Sequence, residues 1–173
     1  MFGMFKAKSA TPVQQGPAII EAAIAVDCAA DTLFGLLNFA DPTCWKHAVG
    51  TVETVATGRF RLHLDLLPEH VFTIVVSDAE PGRLYAFDTQ ITPRAGRITH
   101  ASERYEIAPT GAATCIVRLL TEAHFEAGLP RSEWLEEAAL MDQAVHTTLA
   151  KLKLHAEYGA DAVRNVENFQ RAA

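Results

Sequence analysis

The sequence is short of cysteine, of positive charge and of long apolar runs. It has 3 cysteines in 173 residues, and Cys28, Cys44 and Cys115 are widely spaced with no CxxC pair. That pattern argues against a disulfide framework or a thiolate metal site and for thiols packed as small apolar side chains. Its 15 Lys and Arg stand against 21 Asp and Glu, for a net charge of −6. A protein that tracks phosphates needs a basic footprint, so nucleic acid is not an expected partner. Every uncharged apolar run falls far below the roughly 20 residues that cross a bilayer, so no stable membrane insertion is expected. Lys6 and Lys8 follow the first apolar residues and do not precede a long apolar stretch. The start is therefore unlike a secretory signal, and a cytoplasmic location is expected.

Catalytic signatures are also missing. There is no GxSxG or SxxK nucleophile motif, and no GxGxxG or GxxxxGK[ST] phosphate loop. The histidines His47, His63, His70, His100, His124, His146 and His155 include no HxH or HxxxH pair. His146 and His155 lie nine residues apart. At about 100° per residue they fall on opposite sides of a helix. Metal ligands must converge, so neither a metal nor another cofactor is expected.

What is present is enough apolar material for a core: 49% hydrophobic and 21% charged residues, ordinary values for a globular domain. Residues 1–16 lack periodicity and are expected to be a flexible tail, with residues 17–158 forming one domain and residues 159–173 a C-terminal tail or a short helix. Residues 17–26 alternate Ile20, Ala22, Ile24 and Val26 and predict a strand. Leu33, Phe34, Leu36 and Leu37 form the apolar face of a short helix that Asp41-Pro42 redirects, and a second helical turn is expected at 42–48 around Trp45.

From Gly50 onward the period becomes two. Strands are expected near 50–56, at 59–65, where Phe60, Leu62 and Leu64 alternate with Arg59, Arg61, His63 and Asp65, and at 70–79. Further strands are expected at 84–91, 97–108 and 112–125, punctuated by Glu80-Pro81-Gly82, Pro93 to Gly96 and Pro109-Thr110-Gly111. Residues 131–158 repeat Trp134, Ala138, Met141, Val145, Leu149 and Leu152 at helical spacing, with Glu133, Glu136 and Glu137 early and Lys151 and Lys153 late. That charge order suits the helix dipole. Gly159 is a natural stop.

One strand, two short helices, six antiparallel strands and a long final helix make an α+β chain. Several segments resemble the START-like SRPBCC superfamily: VDCAADTLFGLLNFAD, Trp45, GTVETV, GRFRLHL, VVSDAEPGRLYAF and ERYEIAPTGAATCIVRL. The similarity extends over residues 17–158 and points to the polyketide cyclase/dehydrase-like branch. It implies a helix-grip fold, in which a seven-stranded curved antiparallel sheet wraps around a long C-terminal helix, with two short helices between strands 1 and 2. It also implies a cavity between sheet and helix. Members carry lipids, hormones and aromatic compounds, and some act as polyketide cyclases or aromatases. A lipocalin-type barrel would not place helices between its first two strands, and a cystatin-like cone puts its long helix first.

A small hydrophobic, lipid-like ligand is the expected partner, with catalysis and a homodimer left open; docking of another protein through the exposed sheet edges or the Met-Phe tail is the third alternative. Trp45, Tyr85, Phe87 and Trp134 are large enough to stack on a ring. Phe60, Leu62 and Tyr105 are candidates on the inner sheet face, and Met141 and Val145 on the inner helix stripe. If Tyr105 and Ile107 point inward, Glu103 does too, and a carboxylate in an apolar site can act as acid or base. Glu103 and Tyr105 are the candidate catalytic pair. In competing arrangements Glu103 pairs with Arg118 or Arg97, or the opposite register turns His100, Ser102 and Arg104 inward.

Overall fold

A computed structural model describes residues 16–172. The first strand, β1 (Ala18–Val26), is followed by α1 (Ala30–Leu37) and a 3-10 turn (Trp45–Ala48). Six strands follow: β2 (Gly50–Ala56), β3 (Arg59–Leu64), β4 (Val71–Glu80), β5 (Leu84–Thr92), β6 (Ile98–Gly111) and β7 (Thr114–Phe125). The chain ends in α2 (Arg131–Tyr158) and α3 (Ala160–Ala172). The seven strands form one antiparallel sheet in the order β1-β7-β6-β5-β4-β3-β2. Strands β1 and β2 are consecutive among the strands yet form opposite edges, so α1 and the 3-10 turn carry the chain across the inside of the sheet.

Alternation decides which face each strand buries. On β7, Cys115, Val117, Leu119, Thr121 and Ala123 face inward, while Ile116 and Arg118 lie outside. On β3, Phe60 and Leu62 are buried and Arg59, Arg61 and His63 are exposed, as the sequence pattern predicts. Register breaks between Val76 and Asp78 in β4, and between Ile98 and His100 in β6, add a local bend to each strand. They help to curl the sheet. At Gly82 the backbone turns with φ +69°, and a Cβ would sit 2.3 Å from Asp31 Oδ1. The tight turn between β4 and β5 is thereby seated against α1.

The helix α2 spans 28 residues, or about 42 Å. Val145, Leu149 and Leu152 are its buried stripe. It packs on β1 and β7, with further contact to α1 and α3. Trp134, Ala138 and Met141, nearer its N-terminus, are only partly covered. The short helix α3 docks on α2 and on the 3-10 turn, burying Val163 and Glu167. Glu167 lies under that interface because Lys151 Nζ donates to its carboxylate, and also to Gln170 Oε1 at 3.2 Å. The two charged side chains retain only 14% and 5% exposure. No helix among the described residues is long and apolar enough to cross a membrane. The 1–16 tail expected from sequence lies, but for Gly16, outside the described residues.

A buried ion pair is costly to break from one side, because the remaining charge is left without a partner. Glu167→Ala should therefore destabilise the protein by about 3–5 kcal/mol. The double change Lys151→Met with Glu167→Leu should recover most of that loss. Urea unfolding of the three proteins measures both effects.

Candidate functional site

The inner face carries a continuous aromatic belt. Phe39 lies between Phe60, at 5.6 Å between ring centroids, and Phe87, at 5.1 Å. Tyr85 touches Phe34 edge-on at 5.8 Å, and Phe87 stacks on Tyr105 at 6.0 Å. Of the residues proposed from sequence, Phe60, Tyr85, Phe87 and Tyr105 are thus brought together. Leu62 is buried on the same face, Trp45 is buried in the 3-10 turn, and Val145 in the α2 stripe. Trp134 and Met141 sit apart from the belt and remain partly open, with Trp134 edge-on to Phe125 at 6.2 Å.

The tyrosines of this belt differ in their polar contacts. Tyr85 Oη accepts a hydrogen bond from the Phe39 backbone N–H at 3.1 Å and reaches Asn38 Oδ1 at 3.4 Å. Burial pushes its pKa up to about 12, so it stays protonated at neutral pH. Its polar contacts tie α1's C-terminal end to β5. Tyr105 Oη instead donates to Glu103 Oε2 at 2.8 Å. Burial, reinforced by that carboxylate, holds the Tyr105 phenol well above its usual range. It is a permanent donor at neutral pH.

Glu103, Tyr105 and Ile107 share the inward register. The opposite register is not adopted: Arg104 points outward to Asp78 and Glu106, and Ser102 Oγ donates to Asp88 Oδ1 at 2.6 Å. Nor does Glu103 take either proposed arginine. Arg118 pairs with Glu21 and Glu106, and Arg97 with Glu126 and Glu133, all on the wet side of the sheet or at its end. Glu103 is half-buried and keeps one carboxylate oxygen beyond the Tyr105 bond. Directly across from it on β7 is Thr121, and Thr89 on β5 lies across from Ala101. Both threonine hydroxyls are buried without a hydrogen-bond partner among the described residues.

Lys46 adds a cation to this region. Its Nζ lies 4.1 Å from the centroid of the Trp45 ring. Burial lowers its pKa, and the attraction of Glu103 is the largest opposing influence. Elsewhere, an open cleft between α1 and the end of α2 is lined by Asp31, Asp41, Thr43 and His155. There Thr43 holds the Asp41 carboxylate through its hydroxyl and its backbone N–H, lowering the Asp41 pKa. The His100 and His124 rings stack at 4.0 Å across β6 and β7. No cluster of three metal-ligating side chains occurs among the described residues.

No protein-family model matches the chain, and no curated protein matches its sequence. Solved structures do match. One is DynU16, a protein of the dynemicin biosynthetic locus, with 17% identity and a TM-score of 0.62 over 82% of this chain and 48% of that one. Another is a START superfamily protein from Mycobacterium smegmatis, with 14% identity, a TM-score of 0.55 and coverage of 91% and 100%. A third is BexL, the di-domain ARO/CYC of the BE-7585A biosynthetic pathway, with 26% identity, a TM-score of 0.59 and coverage of 80% and 45%. The chain has the SRPBCC helix-grip fold. It spans about half the length of DynU16 and BexL and all of the mycobacterial protein.

Within this SRPBCC fold, sequence reasoning passed over Lys46, Phe39, Thr89 and Thr121. Phe39 and Lys46 lie in the irregular crossing from β1 to β2, where no periodicity assigns a face. The threonines alternate correctly with apolar neighbours, but only the strand pairing shows that they flank Glu103. The cysteines behave as small apolar residues, and all three are buried. Burial raises the pKa of Cys28 and of Cys44 from 9.0 to about 11. Two units lower the thiolate fraction near pH 8 by roughly 100-fold. Ellman's reagent should accordingly react very slowly with the native protein at that pH and rapidly with all 3 thiols after unfolding in guanidinium.

Proposed function

We propose that the protein binds a small hydrophobic or lipid-like ligand between the concave sheet face and α2. The observation that carries this reading is the uneven cover of the inner face. The helix α2 packs on β1 and β7, while Val52, Leu64, Phe72 and Ile91 on the other inner strands are only partly covered. On the helix side Trp134 and Met141 are in the same state. Apolar side chains left partly open on a concave surface favour an apolar occupant, because each one removed from water stabilises the complex. Trp134, Met141 and the aromatic edge at Phe60, Phe87 and Tyr105 are the proposed ligand contacts. The acidic balance gives no support to a nucleic-acid partner.

A second reading, a cyclase- or aromatase-like enzyme acting in the same space, is favoured by the Tyr105–Glu103 hydrogen bond. The Tyr105 phenol, protonated at neutral pH, holds one oxygen of the Glu103 carboxylate, and the other oxygen can take up a proton from a ligand. BexL, described as a di-domain ARO/CYC, supports the same reading at 26% identity. Under it, Glu103→Gln and Tyr105→Phe abolish turnover of a polyketide substrate while the proteins remain folded. Retained turnover in both variants would reject these roles.

Binding is tested by fluorescence titration with naphthalene as a minimal apolar probe. The expected result is saturable binding that Met141→Trp weakens by about tenfold, since the larger side chain occupies the space the probe needs. An unaltered affinity in that variant, with its unfolding midpoint preserved, would move the site away from α2.

A further inference from the structure

The centre of the concave face holds an unusual set of polar groups. Glu103 occupies the inner face of β6, with Thr121 directly opposite on β7 and Thr89 on β5 two residue pairs along, opposite Ala101. Side chains directly opposite in such a ladder have Cβ atoms about 5 Å apart. Thr89 is 7% exposed and Thr121 1%, yet neither hydroxyl has a partner among the described residues. The neighbours on this face are Ile74, Phe87, Ala101, Leu119 and Ala123, which offer no side-chain acceptor. A buried hydroxyl without a partner is costly, and the Thr121 hydroxyl beside the Glu103 carboxylate calls for a partner common to the two.

The inventory of donors and acceptors defines that partner. Each threonine hydroxyl can donate one proton, and the second oxygen of Glu103 can accept one. An alcohol or phenol has one proton to give and two lone pairs to fill, so it complements the set. A ligand carboxylate has no proton to give and would meet the Glu103 charge. Lys151 is engaged with Glu167 and Gln170, and the charge of Lys46 is balanced by Glu103 itself.

We propose that Glu103, Tyr105 and Thr121 form a hydroxyl-recognising subsite that selects an apolar, ring-sized ligand carrying a neutral alcohol or phenol over one carrying a carboxylate. The inference rests on the ligand-binding reading above and specifies the chemistry of the ligand's polar end. In the occupied subsite the ligand hydroxyl donates to Glu103 and accepts from Thr121, the residue directly opposite Glu103. Tyr105 holds the carboxylate in place from the other oxygen. The apolar body lies toward the partly open side chains of α2 and β2–β5.

Three probes with one shared ring system separate the contributions: naphthalene, 2-naphthol and 2-naphthoate, each titrated against the full chain by fluorescence or calorimetry. Wild type should bind 2-naphthol at least about tenfold more tightly than naphthalene or 2-naphthoate. Glu103→Gln should shrink the naphthol-to-naphthalene ratio severalfold and narrow the gap to 2-naphthoate. Thr121→Val, which keeps the side-chain shape, should shrink the same ratio, and Thr121→Ala provides the check if that variant does not fold. Equal binding of naphthalene and 2-naphthol by wild type would overturn the subsite and leave the ligand-binding reading standing. So would tightest binding of 2-naphthoate, or a ratio unchanged by both substitutions. Failure of all three probes to bind would overturn both.

Discussion

A helix is about 10–12 Å wide and strands lie about 4.8 Å apart, so one helix covers roughly two strands. The sheet here has seven. The stripe Val145, Leu149 and Leu152 on α2 meets that limit by packing on β1 and β7, the pair at one edge. Five strands are left whose inner apolar side chains need other cover. The curl of the sheet supplies part of it. The crossing segment supplies another part, with Leu33, Leu36, Leu37, Phe39 and Trp45 all buried. What remains partly open, from Val52 to Ile91 and across to Trp134 and Met141, is the surface on which the functional reading rests.

The same limit explains why polar groups are found inside. A core filled by a helix on every strand would leave little reason to keep a carboxylate among aromatic rings. Here Glu103 sits beside an aromatic belt, anchored by Tyr105 and accompanied by two threonines without partners. The Lys151–Glu167 pair stands on a different footing. It is paired and nearly enclosed, and it fixes α3 to α2 at the end where the chain would otherwise fray. One polar set is paired; in the other, both threonine hydroxyls are buried and unpaired among the described residues.

Much of the architecture was legible before any coordinates. Strong alternation in β3 and β7 and the 28-residue helical repeat are local signals, and local signals survive in sequence. The inward choice of Glu103 over Arg104 was one of two registers consistent with the pattern. The arginines suggested as its partners turned to Glu21, Glu106, Glu126 and Glu133, because neighbours on the outer face are set by strand pairing. Tyr85 and Phe87 were legible as large aromatics but not as members of a belt, since Phe39 joins them from a loop with no period.

Local pattern was enough for the order of elements from β1 to α2, the faces of the clearest strands, the break at Gly159 and the small-residue use of the cysteines. Each follows from interactions between residues close along the chain or from the pleat of a single strand. Tertiary structure alone decided the rest. It put β1 and β2 at opposite edges, set Thr121 across from Glu103, brought Lys46 near that carboxylate, and buried Glu167 against Lys151. These pairings join residues from 16 to nearly 60 positions apart, or whole strands. Their geometry depends on register, curvature and the width of one helix, none of which a local pattern encodes.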